Sequence, residues 1–256
     1  MRIIDLSHTL EDDRSWAPWW ARTRVKHQSH GFGRFVIRLL FGLKSKHLRT
    51  GLGWSNDNLK LSTHGTTHVD APWHYAPSCE GSPARTIDEM PLDWFYGPGV
   101  VCDVTHIDAE AAVSVSDLMS CLDSAGHELR GGDIVLVRTG NDRLWGRREY
   151  FHTGPGMSAA ATRWLIDQGV RLMGIDSWGW DRPLAQMARE ARQTGRQDLF
   201  WEAHYVGVDR EYCHMERLAN LGELPPTGFT VCAFPLKVKR GSAGPARVVA
   251  LIDDEL

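Results

Sequence analysis

The sequence predicts an α/β protein built as a single domain over residues 1–256. Three observations lead there. Strand-like and helix-like patterns alternate along much of the chain. Its 256 residues are 42% hydrophobic, ample for a sizeable core. No linker and no internal repeat divides them.

The elements follow in chain order. Arg2-Ile3-Ile4-Asp5-Leu6 reads as a first strand. Trp16, Pro18, Trp19 and Trp20 crowd the next segment, and the proline favours extended chain over helix. Phe35, Val36, Leu39, Leu40 and Leu43 fall at helical spacing, with Arg34 and Arg38 off that face, which predicts a short amphipathic helix over 34–43. Gly51, Gly53 and Ser55-Asn56-Asp57-Asn58 mark a loop. Residues 59–70 read as extended, through alternating Leu59 and Leu61 and β-branched Thr63, Thr66, Thr67 and Val69.

Further strands are predicted over 99–105, over the largely apolar Ile134–Arg138 and over 170–176. Phe229–Phe234 and Arg247–Ile252 close the chain as strands. Helices are predicted from Ser116 to Ala125, capped by Ser114 or Ser116, and from Ala159 to Gln168, capped by Ser158 and ended by Gly169. Residues 181–200 are polar, rich in Ala and Arg, and moderately helix-prone.

Composition excludes several classes. A net charge of -3, from 29 basic and 32 acidic residues, argues against a nucleic-acid partner. The basic stretch 22–49 is a local exception that the overall charge disfavours as a nucleic-acid or membrane contact. No run of 18 apolar residues predicts a membrane span, and the opening residues lack a secretory core. The five cysteines form no C-x-x-C pair, which reads as reduced thiols in a cytoplasmic protein. There is no G-x-S-x-G elbow, no Walker loop and no strand-linked G-x-G-x-x-G.

The chemistry concentrates in His64-Gly65-Thr66-Thr67-His68-Val69-Asp70-Ala71-Pro72-Trp73-His74. On an extended chain, positions 64, 68 and 70 share one face. Two imidazoles and a carboxylate then converge, the ligand set of an open divalent site with room for water. Nitrogen and oxygen donors without thiolate suit Zn²⁺ and admit Mn²⁺ or Fe²⁺. His74 lies beyond Pro72, where the strand should end. Its side chain suits a proton shuttle, and a fourth-ligand role stays open.

This segment resembles the signature H-x-G-T-H-x-D-x-P-x-H of the cyclase family of metal-dependent hydrolases, which includes kynurenine formamidases, isatin hydrolases and trans-dienelactone hydrolases. The chain matches at His64, Thr67, His68, Asp70, Pro72 and His74, and departs at Thr66, where the pattern has Gly. Weaker matches follow in the right order: Asp5-Leu6-Ser7-His8, Gly132–Gly140, Pro155-Gly156-Met157-Ser158, Gly174-Ile175-Asp176-Ser177, and Glu216-Arg217-Leu218-Ala219-Asn220-Leu221 against E-x-L-x-N-L. Phe234-Pro235-Leu236-Lys237 and Pro245–Ala250 complete the series.

The resemblance implies a mixed or barrel-like central sheet flanked by helices, of the swivelling β/β/α kind. It implies a hydrolase that opens or cleaves an amide, lactam or lactone of a small cyclic or aromatic substrate. The attacking group would be a metal-generated hydroxide, with His74 moving the proton. A catalytically inactive metal-containing scaffold or a small-molecule-binding protein is the alternative. The formamidase branch implies a second metal position at a His and a Glu twelve residues apart, here His204 and Glu216, with Asp70 bridging; the isatin hydrolase branch implies one ion. His214, two residues before Glu216, is a rival to His204 and ranks lower. Trp19 falls in a region that lines the substrate pocket in the family, and Trp178 follows a strand end where a pocket could open. Ordinary core packing or a dimer contact would also account for either Trp. The resemblance further implies a homodimer or higher homo-oligomer.

Overall fold

The computed structural model describes residues 1–253. The chain forms two compact units, one of Met1–Thr9 with the chain from Thr63 onward, the other of Leu10–Ser62.

The larger unit is built on one sheet. Its strands are β1 (Arg2–Asp5), β2 (His68–Asp70), β3 (Tyr96–Asp103), β4 (Ile134–Arg138), β5 (Leu172–Ile175), β6 (Cys213–Glu216), β7 (Phe229–Cys232), β8 (Ala243–Pro245) and β9 (Val249–Ile252). They lie side by side in the order β1-β9-β7-β3-β4-β5-β6-β2-β8. β3, β4, β5 and β6 run parallel, and the flanking pairs are antiparallel. The sheet is therefore mixed, and the α/β expectation stands.

Both faces of the parallel centre are buried. Ile134 and Leu136 point into one apolar cluster, with Leu6, Val69, Met215 and Val231. Val135 and Val137 point into the other, with Met173, Leu118 and Leu165. This period of two explains why the strand reads as a continuous apolar run. Burying each such side chain is worth about 1.5–3 kcal/mol, so the centre of the sheet anchors everything attached to its ends.

Helices α1 (His30–Phe41), α2 (Pro72–Tyr75), α3 (Val115–Ala125), α4 (Ala159–Asp167), α5 (Leu184–Thr194) and α6 (Val206–Asp209) complete the main elements. The Ser114 side chain accepts from the Asp117 N–H, and that of Ser158 from the Ala161 N–H, so both predicted caps form. No helix among the described residues is long and apolar enough to cross a membrane.

The structure corrects the sequence reading in places. Residues 59–70 are not one extended run. Asn56–Lys60 pairs antiparallel with Arg24–Gln28, residues 61–67 turn, and only His68–Asp70 is strand. The Asn/Asp-rich stretch read as a loop is thus half of a two-stranded ribbon, because cross-strand pairing overrides weak propensity. Trp19–Ala21 is a single 3₁₀ turn after an extended Pro18, rather than extended chain. β6 and β8 carried no strand expectation.

The Leu10–Ser62 unit contains this ribbon and α1. The Ser29 side chain accepts from the Phe32 N–H at the start of α1, and Gly42 ends the helix in the left-handed region with φ 69°. Gly33 and Ile37 are its buried positions. The predicted apolar face of Phe35, Leu39, Leu40 and Leu43 is exposed.

Candidate metal centre

The centre is assembled where β2 enters the sheet between β6 and β8. In the antiparallel β2–β6 register, Asp70 stands opposite His214 and His68 opposite Glu216. The intervening Val69 and Met215 fill the apolar cluster on the other side. Strand alternation therefore presents His68, Asp70, His214 and Glu216 together on one face. Glu216 is also the carboxyl end of a parallel strand, the usual location of ligands in such sheets.

His64 reaches the cluster from the preceding turn, with Nδ1 2.8 Å from Asp70 Oδ1. It does so without lying on β2, so the extended-strand argument for its placement fails while the convergence itself holds. His68 Nε2 is 3.1 Å from Asp70 Oδ1 and 3.6 Å from Glu216 Oε2. His74 arrives from the one-turn helix α2, whose first residue is Pro72. Its Nε2 is 3.7 Å from Asp70 Oδ2, and its ring centroid is 4.0 Å from that of His64. From the other side, His204 Nε2 is 3.8 Å from Asp70 Oδ2 and 3.5 Å from Glu216 Oε1.

The donors divide into two sets that share Asp70. One is His64, Asp70 and His74; the other is Asp70, His204, His214 and Glu216, each with its ligand atoms within 4.8 Å of one another. The structure thus brings His64, His68, Asp70, His74, His204 and Glu216 together. It adds His214, which sequence reasoning ranked below His204. The two-residue spacing to Glu216 was the usable signal, because on a strand that spacing puts both on one face.

Neighbouring groups aim the imidazoles. His68 Nδ1 donates to the Thr66 carbonyl at 2.6 Å, which leaves the Nε2 lone pair facing the carboxylates. Asp181 accepts from the Ala203 N–H at 2.8 Å, from the His204 N–H at 3.1 Å and from His204 Nδ1. His64 Nε2 is hydrogen-bonded to Ser242 Oγ at 2.9 Å. Arg217, at φ 58° and almost fully buried, donates to the carbonyls of His64 and Trp178. None of these supporting partners carried a sequence signal.

The electrostatics call for a cation. Burial opposes ionisation of Asp70, yet the surrounding His64, His74 and His68 hold it well below the usual carboxylate range. Burial likewise opposes the Glu216 charge, and its close contacts with the His204 and His214 imidazoles outweigh it. Burial disfavours a charged His204, but Asp181, Asp70 and Glu216 push its pKa well above the ordinary value. Burial lowers that of His68 and takes that of His74 to about 3. His68 Nε2 and both Asp70 oxygens are buried without a hydrogen-bond partner. A native interior rarely leaves such atoms unsatisfied, and a divalent ion among them would satisfy all three. The residues present fit a metal.

Neither predicted tryptophan belongs to this donor set. Trp178 is 7% exposed and lies over the Arg217 guanidinium, 3.6 Å from its ring centroid. Trp19 belongs to the Leu10–Ser62 unit and is 79% exposed.

Known proteins resemble this chain in sequence and in fold. The cyclase family model, described as "Putative cyclase", matches residues 4–182. A kynurenine formamidase of Salinibacter ruber is 32% identical over 192 residues, covering 75% of this chain and 77% of its own. An isatin hydrolase of Roseibium aggregatum is 29% identical over 202 residues, covering 75% and 73%. The solved structure of isatin hydrolase A from Labrenzia aggregata bound to benzyl benzoate superposes with a TM-score of 0.75 at 28% identity, over 98% of this chain and 93% of that one. By sequence and by fold, the chain belongs to the cyclase family.

Proposed function

We propose that this protein is a metal-dependent hydrolase that opens or cleaves an amide, lactam or lactone bond of a small cyclic or aromatic substrate. The observation that carries the reading is the convergence of His64, His68, Asp70, His74, His204 and Glu216 around buried, unpartnered donor atoms. Relatives named isatin hydrolase and kynurenine formamidase support the substrate class.

His64, His68 and Asp70 would hold the first ion, and His204 and Glu216 a second, with one Asp70 oxygen facing each group of imidazoles. The all-nitrogen-and-oxygen donor set suits Zn²⁺ or Mn²⁺. A cation bound there supplies a water whose pKa falls from 15.7 to about 7 and a charge that polarises the scissile carbonyl.

The chain's own groups do the rest. Thr66 and Asp181 fix the ring orientations of His68 and His204. His74 is the most exposed of these imidazoles, with 24% of its side chain exposed against 18% for His64 and none for His68. That position places it to take a proton from the attacking water and return it to the leaving nitrogen or oxygen. With five free cysteines, the chain suits a reducing compartment, and we place it in the cytoplasm.

The test is metal removal. Exhaustive chelation should abolish hydrolysis on a panel of N-formyl anilines, isatins, cyclic imides and lactones, and Zn²⁺ or Mn²⁺ should restore it. Activity that survives in protein shown metal-free by elemental analysis would overturn the reading. Bound metal with no hydrolysis across the panel would favour the inactive scaffold.

A further inference from the structure

We infer that His214 is a metal ligand through Nε2, and that Tyr75, backed by the stacked ring of Tyr212, holds the imidazole in the orientation that ligation requires. The inference rests on the metal-dependent reading above and extends it to three residues that the family motif does not include.

Ligation through Nε2 requires the His214 hydrogen on Nδ1, and that atom lies 3.0 Å from the Tyr75 oxygen, which can accept it. Tyr212 stacks on the Tyr75 ring at 4.9 Å, and its hydroxyl donates to the Ala203 carbonyl at 3.0 Å. Burial pushes the pKa of both phenols well above the ordinary value.

A neutral ring with hydrogen on Nδ1 has its lone pair on Nε2. That atom lies 3.2 Å from Asp70 Oδ2 and 3.3 Å from Glu216 Oε1. Three electron-rich atoms then face one another in a buried site, an arrangement that is repulsive unless positive charge sits among them. The ring cannot turn away. It is stacked on Tyr75 at 5.3 Å and on Trp180 at 5.2 Å, each within 15° of parallel. His204 brings a fourth donor into the same set, all within 4.8 Å. A proton on Nε2 would relieve the contacts of that ring alone, whereas one divalent ion meets all four donors. Such an ion binds nitrogen and oxygen at about 2.0–2.2 Å, which this spacing accommodates. Tyr75 and Tyr212 are positioning residues, acting on the ion through the imidazole.

The experiment measures metal binding on the full chain. Protein stripped of metal is titrated with Zn²⁺ and with Co²⁺, whose absorption spectrum reports its ligands. His214→Gln should lose one equivalent or bind it at least about tenfold more weakly, and should change the Co²⁺ spectrum. Tyr75→Phe keeps the stacked ring but removes the acceptor for Nδ1–H, and should weaken the same step about 10–100-fold. In the unaltered protein, the ¹⁵N shift of His214 Nε2 should move to a metal-bound value on Zn²⁺ loading, a readout that needs no variant to fold. Full binding with an unmoved His214 resonance and an unaltered His214→Gln spectrum overturns the ligand assignment and leaves the hydrolase reading standing. A wild-type chain that takes up no divalent ion overturns both.

Discussion

Asp70 concentrates the physics of the site. Its carboxylate is fully buried, and neither oxygen has a hydrogen-bond partner. Leaving a neutral buried polar group unsatisfied costs about 1–3 kcal/mol, and a charged one more. Three imidazoles approach its two oxygens from one side of the sequence, His64, His68 and His74, and two from the other, His204 and His214. Among them His74 is distinguished by exposure and by its position after the strand has ended. His74→Ala should retain bound metal and lose about two to four powers of ten in turnover, as expected for a group that moves a proton. Elemental analysis beside steady-state rates checks this, and a variant that arrives metal-free makes His74 a ligand instead. The four residues at 64, 68, 70 and 74 were legible because they sit within eleven residues of one another. His204 and Glu216 were legible only through family likeness. Asp181 and Ser242 were not legible at all, since each meets its imidazole through the fold.

At the level of elements, the strongest sequence signals marked what holds the site up rather than the site itself. The apolar run at Ile134–Val137 is buried on both faces and became the middle of the sheet. β6 gave no such signal, because Cys213-His214-Met215-Glu216 alternates metal-binding side chains with core ones. It is a strand because β5 and β2 pair with it on either side. Helices α2 and α6 are one-turn elements with equally little local signal, yet they set the position of Tyr75. A Cβ on Gly207 of α6 would lie 2.1 Å from Tyr75 Cδ2, and the ring is 3% exposed with no room to retreat. Gly207→Ala should therefore destabilise the fold by about 1–3 kcal/mol. A thermal melt should show a fall of roughly 2–4 °C for each kcal/mol lost. Because Tyr75 is hydrogen-bonded to His214, the same change should also weaken metal uptake. A variant with the wild-type melting temperature and metal affinity would show that α6 shifts freely.

For the whole molecule, the uneven distribution of exposed apolar side chains decides what to expect in solution. Eleven of the twenty-one large apolar residues exposed among the described residues lie in the 53-residue Leu10–Ser62 unit. On α1 they include Phe35 at 59%, Leu39 at 72% and Leu40 at 64% exposure. The helical spacing of these residues was legible in the sequence; that they would face outward was not, because periodicity reports a face without saying what covers it. Clustered exposed apolar side chains commonly mark a surface that another molecule covers. The likeness to the family implies a homodimer or higher homo-oligomer, and we propose that a second copy of the chain covers α1. A C₂ contact would bring α1 of each copy into one self-complementary interface, for which about 800 Å² from each partner is a standard size. Light scattering during size exclusion should then give at least twice the 28.8 kDa of one chain. Leu39→Glu with Leu40→Glu places charge in the centre of that face, where both residues are already exposed in a single copy and so add little strain to it. The double variant should elute at the mass of one chain with its melting curve broadly retained. A wild-type protein that runs as a monomer at micromolar concentration would refute the assembly, as would a double variant whose mass does not change.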